Sequence, residues 1–201
     1  FDGSGNTGNI EVNANRIIIN GEWIGILNTS FTTANTGKIR LEANGLEMVG
    51  GDPITGDPTL ITTLALGGGL GGDVDVNLGG GNISLVNSGI SATTTDVGNG
   101  GNVTVQANDL QMTDGSTIQT GTFFEGNTGK TSILLSGDLE IRSGSFLGSL
   151  VDVSCTEGCG AAGDLTVQAN DITIQGFKNA VDPLSSPEFT GIRTRSVAQL
   201  G

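Results

Sequence analysis

The chain has no histidine and no tyrosine, and its 201 residues include only two cysteines, four prolines and 4% aromatics. Without histidine it lacks the commonest general base and the usual hydrolytic triad partner, leaving carboxylates, lysine and arginine as the only candidate groups. Cations are also scarce, with eight Lys and Arg against 21 Asp and Glu, a net charge of −13. A nucleic-acid surface needs a basic stripe, so nucleic acid is excluded as a partner and the charge is read as serving solubility. No apolar run approaches the length of a membrane-spanning helix. The sequence opens at Phe1 with neither signal peptide nor initiator methionine, and so reads as a mature protein or an excised portion. Cys155 and Cys159 frame the stretch CTEGC. Too few sulfur and imidazole ligands exist for structural zinc, so the pair is a candidate loop disulfide in an oxidising compartment, with a reduced, inert pair as the alternative.

What the chain does have is glycine, 35 residues of it, and a pattern that returns. GNVTVQAN at 101–108 comes back as GDLTVQAN at 163–170, and weaker copies follow Gly8, Gly37, Gly72 and Gly129. These six glycines stand 28 to 35 residues apart and open units that cover the whole chain as one repeat array.

Within a unit, apolar residues alternate in three short bursts, the signature of short strands with one buried face. Dense Gly, Asn and Thr and the lack of a 3.6-residue apolar stripe disfavour helix. Aligning the units gives core columns. The first is Ile10, Ile39, Val74, Val103, Thr131 and Leu165, and the second is Val12, Leu41, Val76, Val105, Ile133 and Val167. The next strand contributes Ile17, Leu46, Ile83, Leu110, Leu139 and Ile172, then Ile19, Met48, Leu85, Met112, Ile141 and Ile174. A looser third strand points Ile24, Ile90, Ile118, Phe146 and Ile192 inward.

This pattern predicts an all-β fold, a parallel β-helix (β-solenoid) of about six coils with three short strands each. At ~4.8 Å per coil the stack is roughly 29 Å long. No coil can bury its own apolar set without neighbours. A propeller blade needs four strands and some 40–50 residues, more than most units supply. Asn15, Asn44, Asn108 and Asn170 recur after the first strand as a turn ladder, where asparagine tolerates left-handed backbone and bonds along its column. Gly79 takes that place in the third unit. Segments 50–71, 148–162 and 176–191 read as insertions, and the repeated GDP of GDPITGDPT marks turns in the first.

No catalytic, cofactor or metal constellation is assigned. GGLGGDVDV at 68–76 approaches a calcium-binding nonapeptide, but Asp75 stands where an apolar residue belongs and the motif occurs once, so Asp73 and Asp75 are read as turn or outward residues. Arg193 and Arg195 in GIRTRS alternate outward and read as solvated. Glu11, Arg40, Asp75, Thr104, Ser132 and Thr166 face out from the first strand, with Glu11 beside Arg40. Such polar faces suit hydration and weak contact with surface glycans.

The string GNGGNVTVQANDLQMTDGSTIQTGTF at 98–123, with GNTGNIEVNANRIII at 5–19 and GDLTVQANDITI at 163–174, resembles the repeats of filamentous-haemagglutinin-like exoproteins of the cyanobacterial type. That resemblance implies a right-handed β-helix, export by two-partner secretion and an extracellular or cell-surface adhesin or filament. The family's secretion domain carries NPNL- and NPNG-like motifs, and this chain has no Asn-Pro, so it resembles the shaft, with any outer-membrane secretion partner engaged through a domain not in this chain. The end IRTRSVAQLG followed by the start FDGSGNTGNIEV reads like the internal IQTGTFFEGNTGKTSI, which predicts head-to-tail continuation with itself. The functional expectation is a non-enzymatic shaft segment of a filament or adhesin. The alternatives are a polysaccharide-binding or polysaccharide-degrading β-helix and the shaft of a contact-dependent toxin.

Overall fold

The computed structural model describes residues 5–22, 24–51, 58–151, 160–176 and 189–196. Among them are eighteen strands in six coils. The first coil is β1 (Ile10–Asn13), β2 (Ile17–Asn20) and β3 (Gly25–Ser30), and the second is β4 (Ile39–Glu42), β5 (Gly45–Val49) and β6 (Thr59–Ala65). The third is β7 (Val74–Asn77), β8 (Asn82–Val86) and β9 (Ser88–Thr94), and the fourth is β10 (Val103–Ala107), β11 (Leu110–Thr113) and β12 (Thr117–Thr122). The fifth is β13 (Thr131–Leu135), β14 (Leu139–Arg142) and β15 (Phe146–Val151), and the sixth is β16 (Leu165–Gln168), β17 (Ile172–Gln175) and β18 (Gly191–Arg195). Every third strand pairs in parallel, giving three six-stranded sheets, and the fold is a right-handed parallel β-helix.

The register of the first two sheets follows the apolar columns residue for residue, with Ile10 beside Ile39, Ile39 beside Val74, and Val74 beside Val103. In the middle of the stack this alternation yields a dry core, in which Ile39, Leu41, Val74, Val103, Val105 and Ile133 are fully buried. Each such side chain contributes about 1.5–3 kcal/mol on burial. The outer coils bury less. Ile10, Val12, Leu165 and Val167 are only partly covered, while Ile172 and Ile174 are each 48% exposed.

The third sheet departs from the sequence reading. Its inward column is Ile26, Ile61, Ile90, Ile118, Leu147 and Ile192. Ile24 is exposed and precedes β3, and Phe146 pairs with Thr117 and Gly191, one position out of phase. Alternation fails as a guide here because the neighbouring inward positions are Asn28, Thr63, Thr120 and Ser149, all buried polar groups. The segment 50–71 is likewise more than an insertion, since it contains β6, whose Ile61 fills the core. Residues 148–151 belong to β15, and Gly191 opens β18. The rest of those two segments, including Cys155 and Cys159, lies largely outside the described residues.

Candidate functional site

The chemistry of this chain is concentrated at the corners between strands. Six copies of a four-residue corner precede the first strand of each coil: GNTG at 5–8, ANTG at 34–37, GLGG at 69–72, GNGG at 98–101, GNTG at 126–129 and GAAG at 160–163. A Cβ on Gly37, Gly72, Gly101, Gly129 or Gly163 would lie 2.0–2.3 Å from the carbonyl oxygen of the glycine one coil earlier. Gly98, Gly126 and Gly160 form a second such column three residues upstream, at 2.0–2.1 Å. Glycine is required here because backbone stacks directly on backbone.

The carbonyls of these corners take donors from the third sheet. Asn28 Nδ2 donates to Gly8 O at 2.7 Å, and the Thr63 and Thr120 hydroxyls donate to Gly72 O and Gly129 O at 2.5 and 2.9 Å. Ser30, Thr94 and Thr122 serve the carbonyls of Ala34, Gly98 and Gly126 at 2.8–2.9 Å. The buried polar residues that blur the third strand's pattern are therefore the bonding partners of the glycine corner, which removes the cost of burying them.

Three ladders of side-chain oxygens complete the corners. Asn6, Asn35, Asn99 and Asn127 each accept, through Oδ1, the main-chain N–H of the same column in the next coil, at 2.7–3.0 Å. Asn9, Asp73 and Asn102 do the same for Lys38, Asn102 and Lys130 at 2.9 Å. Asn82, Asp109 and Asp138 accept from Asp109, Asp138 and Asp171 at 2.9–3.3 Å. The sequence signal was the Asn or Asp recurring just after the glycine, which the alternation of apolar residues masks.

The expected turn ladder is only partly of the expected kind. Asn44 Nδ2 donates to Asn15 Oδ1 at 2.9 Å, and Asn108 Nδ2 to Asn82 Oδ1 at 3.2 Å, so bonding along the stack is present. None of Asn15, Asn44, Asn108 and Asn170 has a positive φ, however. The column is continued by Gly81 and Gly137, through Asn108 N–H to Gly81 O and Asn170 N–H to Gly137 O at 2.8 Å each, and Gly79 is not its member. Among the described residues, the left-handed ones other than glycine are Asn87, Asp114 and Ser143, after the second strand.

Most of the described cations, Arg16, Lys38, Arg40, Lys130 and Arg142, are paired with carboxylates at the surface. Lys38 Nζ lies 2.5 Å from Asp73 Oδ2. Burial alone would raise the Asp73 pKa, but hydrogen bonds from Lys38 and the Asn102 backbone, with the Lys38 charge, outweigh it and hold the carboxyl below its usual value. Lys38 is correspondingly raised by its bond to Asp73. Asp75 stands beside Arg40 and Thr104 on the outer face. Among the described residues no group of three or more acidic or sulfur ligands converges. Glu11 does register with Arg40, yet the Arg40 guanidinium turns to Glu42 at 2.5 Å.

Arg193 differs from the other cations. Its guanidinium lies 4.3 Å from the centre of the Phe146 ring and 4.8 Å from that of Phe189, beside a shallow cleft floored by Gly115 and Gly144. Nε is buried without a hydrogen-bond partner, and burial, then the Arg195 charge, lowers the arginine's pKa. Gly148 sits opposite Arg193 in register, so no side chain blocks the guanidinium from reaching back to Phe146.

At the two ends of the stack, the outer edges of β1, β2 and β3 and of β16, β17 and β18 carry no paired strand among the described residues. Comparison of the chain with protein-family models, curated proteins and solved structures found no match.

Proposed function

We propose that this chain is a non-catalytic shaft segment of an extracellular or cell-surface filament or adhesin, in which the β-helix itself is the working object and continues coil upon coil through both ends. One observation carries the reading: the last coil keeps the core columns of the interior but leaves Ile172 and Ile174 half exposed beside three strand edges that are unpaired among the described residues. Unpaired parallel edges over an apolar column are a template for another strand set. The extracellular location and export by two-partner secretion rest on the resemblance of GNGGNVTVQAN and its copies to haemagglutinin-like repeats and belong to the same proposal.

The test is sedimentation velocity and electron microscopy of the 20.3 kDa chain over a range of concentrations. Fibres of uniform width with an axial period of roughly 29 Å are expected. A monodisperse monomer at high concentration contradicts the reading.

Arg193 favours a second reading, surface binding of acidic glycans. A guanidinium packed against two aromatic rings, with no acid partner among the described residues, suits a sugar carboxylate. Calorimetry with uronic-acid oligosaccharides should give saturable binding that Arg193→Gln abolishes. Equal binding by that variant counts against the site.

A further inference from the structure

We infer that a second copy of this chain docks its first coil on the last coil of the one before it in a single register, with Gly8 over Gly163 and Arg16 beside Asp171. This rests on the filament reading above and specifies its joint.

The glycine column fixes the register. At each of its five internal steps, from Gly8 to Gly163, a Cβ would come within 2.0–2.3 Å of a carbonyl oxygen, so only glycine can occupy the position above a glycine of this column. Gly163 is the last of this column's six glycines, and its carbonyl stands where a following coil would stack, as Gly163 itself stacks on Gly129. Gly8 is the first, and a Cβ there meets nothing within 4 Å. A slip by one residue, or a rotation that sets one sheet on another, would bring a side chain onto that oxygen. The upstream column repeats the constraint with Gly160 and Gly5, although Ala34 shows that its first step admits a methyl group.

Charge agrees with this register. The column Arg16, Gly45, Asn82, Asp109, Asp138, Asp171 begins with a cation and ends with three carboxylates. Asp109 and Asp138 each use Oδ1 to accept the main-chain N–H one coil on, at 2.9 and 3.3 Å. Continuing the column places the Arg16 N–H and guanidinium over the Asp171 carboxylate. Arg16 already reaches forward to Glu47 at 2.5 Å, and its side chain remains 59% exposed for a second carboxylate. Other outward pairs of this joint, among them Glu11 with Thr166, Asn13 with Gln168, Ile18 with Thr173 and Leu27 with Arg193, set no like charges together.

The experiment separates the joint from the fold because Gly8 is unconstrained within one copy. Gly8→Val should leave the circular dichroism spectrum and the melting of the dilute chain unchanged and abolish assembly in sedimentation. Asp171→Arg should raise the concentration needed for assembly roughly fivefold. Arg16→Asp combined with Asp171→Arg should recover part of the loss, because the charge pair across the joint returns while the acceptor for the residue-16 N–H and the pairing with Glu47 do not. If Gly8→Val assembles as the unmodified chain does, the register is wrong while the filament reading stands. If the unmodified chain never assembles, the filament reading falls and the joint with it.

Discussion

The middle coils and the end coils are written with the same residues and meet different surroundings. Ile141 in the fifth coil is fully buried, whereas Ile174, its partner in the sixth, is 48% exposed. Gly101 has carbonyl oxygen 2.0 Å from where its Cβ would be, whereas Gly8, the same column's first member, has open space. In a solenoid the worth of a residue is set by whether a neighbouring coil is present, and the sequence of that residue's own coil does not say.

The largest test of this contrast is Gly101→Val. A side chain there must force two coils apart, a loss of about 4–5 kcal/mol or more, seen as a collapsed denaturation midpoint. Gly8→Val in the dilute chain should cost almost nothing on the same measurement. Next in size, Ile141→Ala should destabilise by about 2–5 kcal/mol and Ile174→Ala by roughly half as much, read from urea unfolding of dilute protein. Equal costs would mean that the last coil is covered.

A smaller effect is expected from the ladders. Asn127→Ala removes the acceptor for the Ala161 N–H and should cost about 1 kcal/mol. Asn6→Ala should cost less, because the outer coil it joins is less buried.

The smallest prediction concerns pH. The Asp73 pKa is lowered in the fold, so its contribution is fully present above its ordinary value of 3.8 and is lost as pH falls through the lower folded value. Because Lys38 is largely solvent-exposed, screening keeps this below about 1 kcal/mol. Asp73→Asn should flatten that part of the acid unfolding profile, and an unchanged profile would remove Asp73 as its source.

The sequence made the first two sheets legible because nearly all of their strands carry two inward apolar residues in a clean alternation, as in Val103 and Val105 or Leu110 and Met112, Thr131 of β13 being the exception. The third sheet was obscured because its strands also carry the donors for the glycine corner. A buried Thr120 or Ser149 looks outward to any pattern based on hydrophobicity. Ile61 was hidden differently, inside a segment whose Pro58 and glycines read as loop. For the corners, the leading glycine was visible as a repeat marker, but its partner three residues upstream and the acceptor role of Asn99 and Asn127 depend on what lies one coil away. The positive φ expected at Asn108 belongs instead to Asn87, Asp114 and Ser143, because the first corner satisfies its asparagines along the stack without a left-handed turn.

The most direct test of the account is hydrogen exchange of the intact chain, read by mass spectrometry at low and high concentration. Amides of β10, β11 and β12 should be strongly protected at both, while those of β1 to β3 and β16 to β18 should exchange quickly when dilute and become protected as concentration rises. End coils that exchange identically at every concentration would contradict open ends that receive another copy.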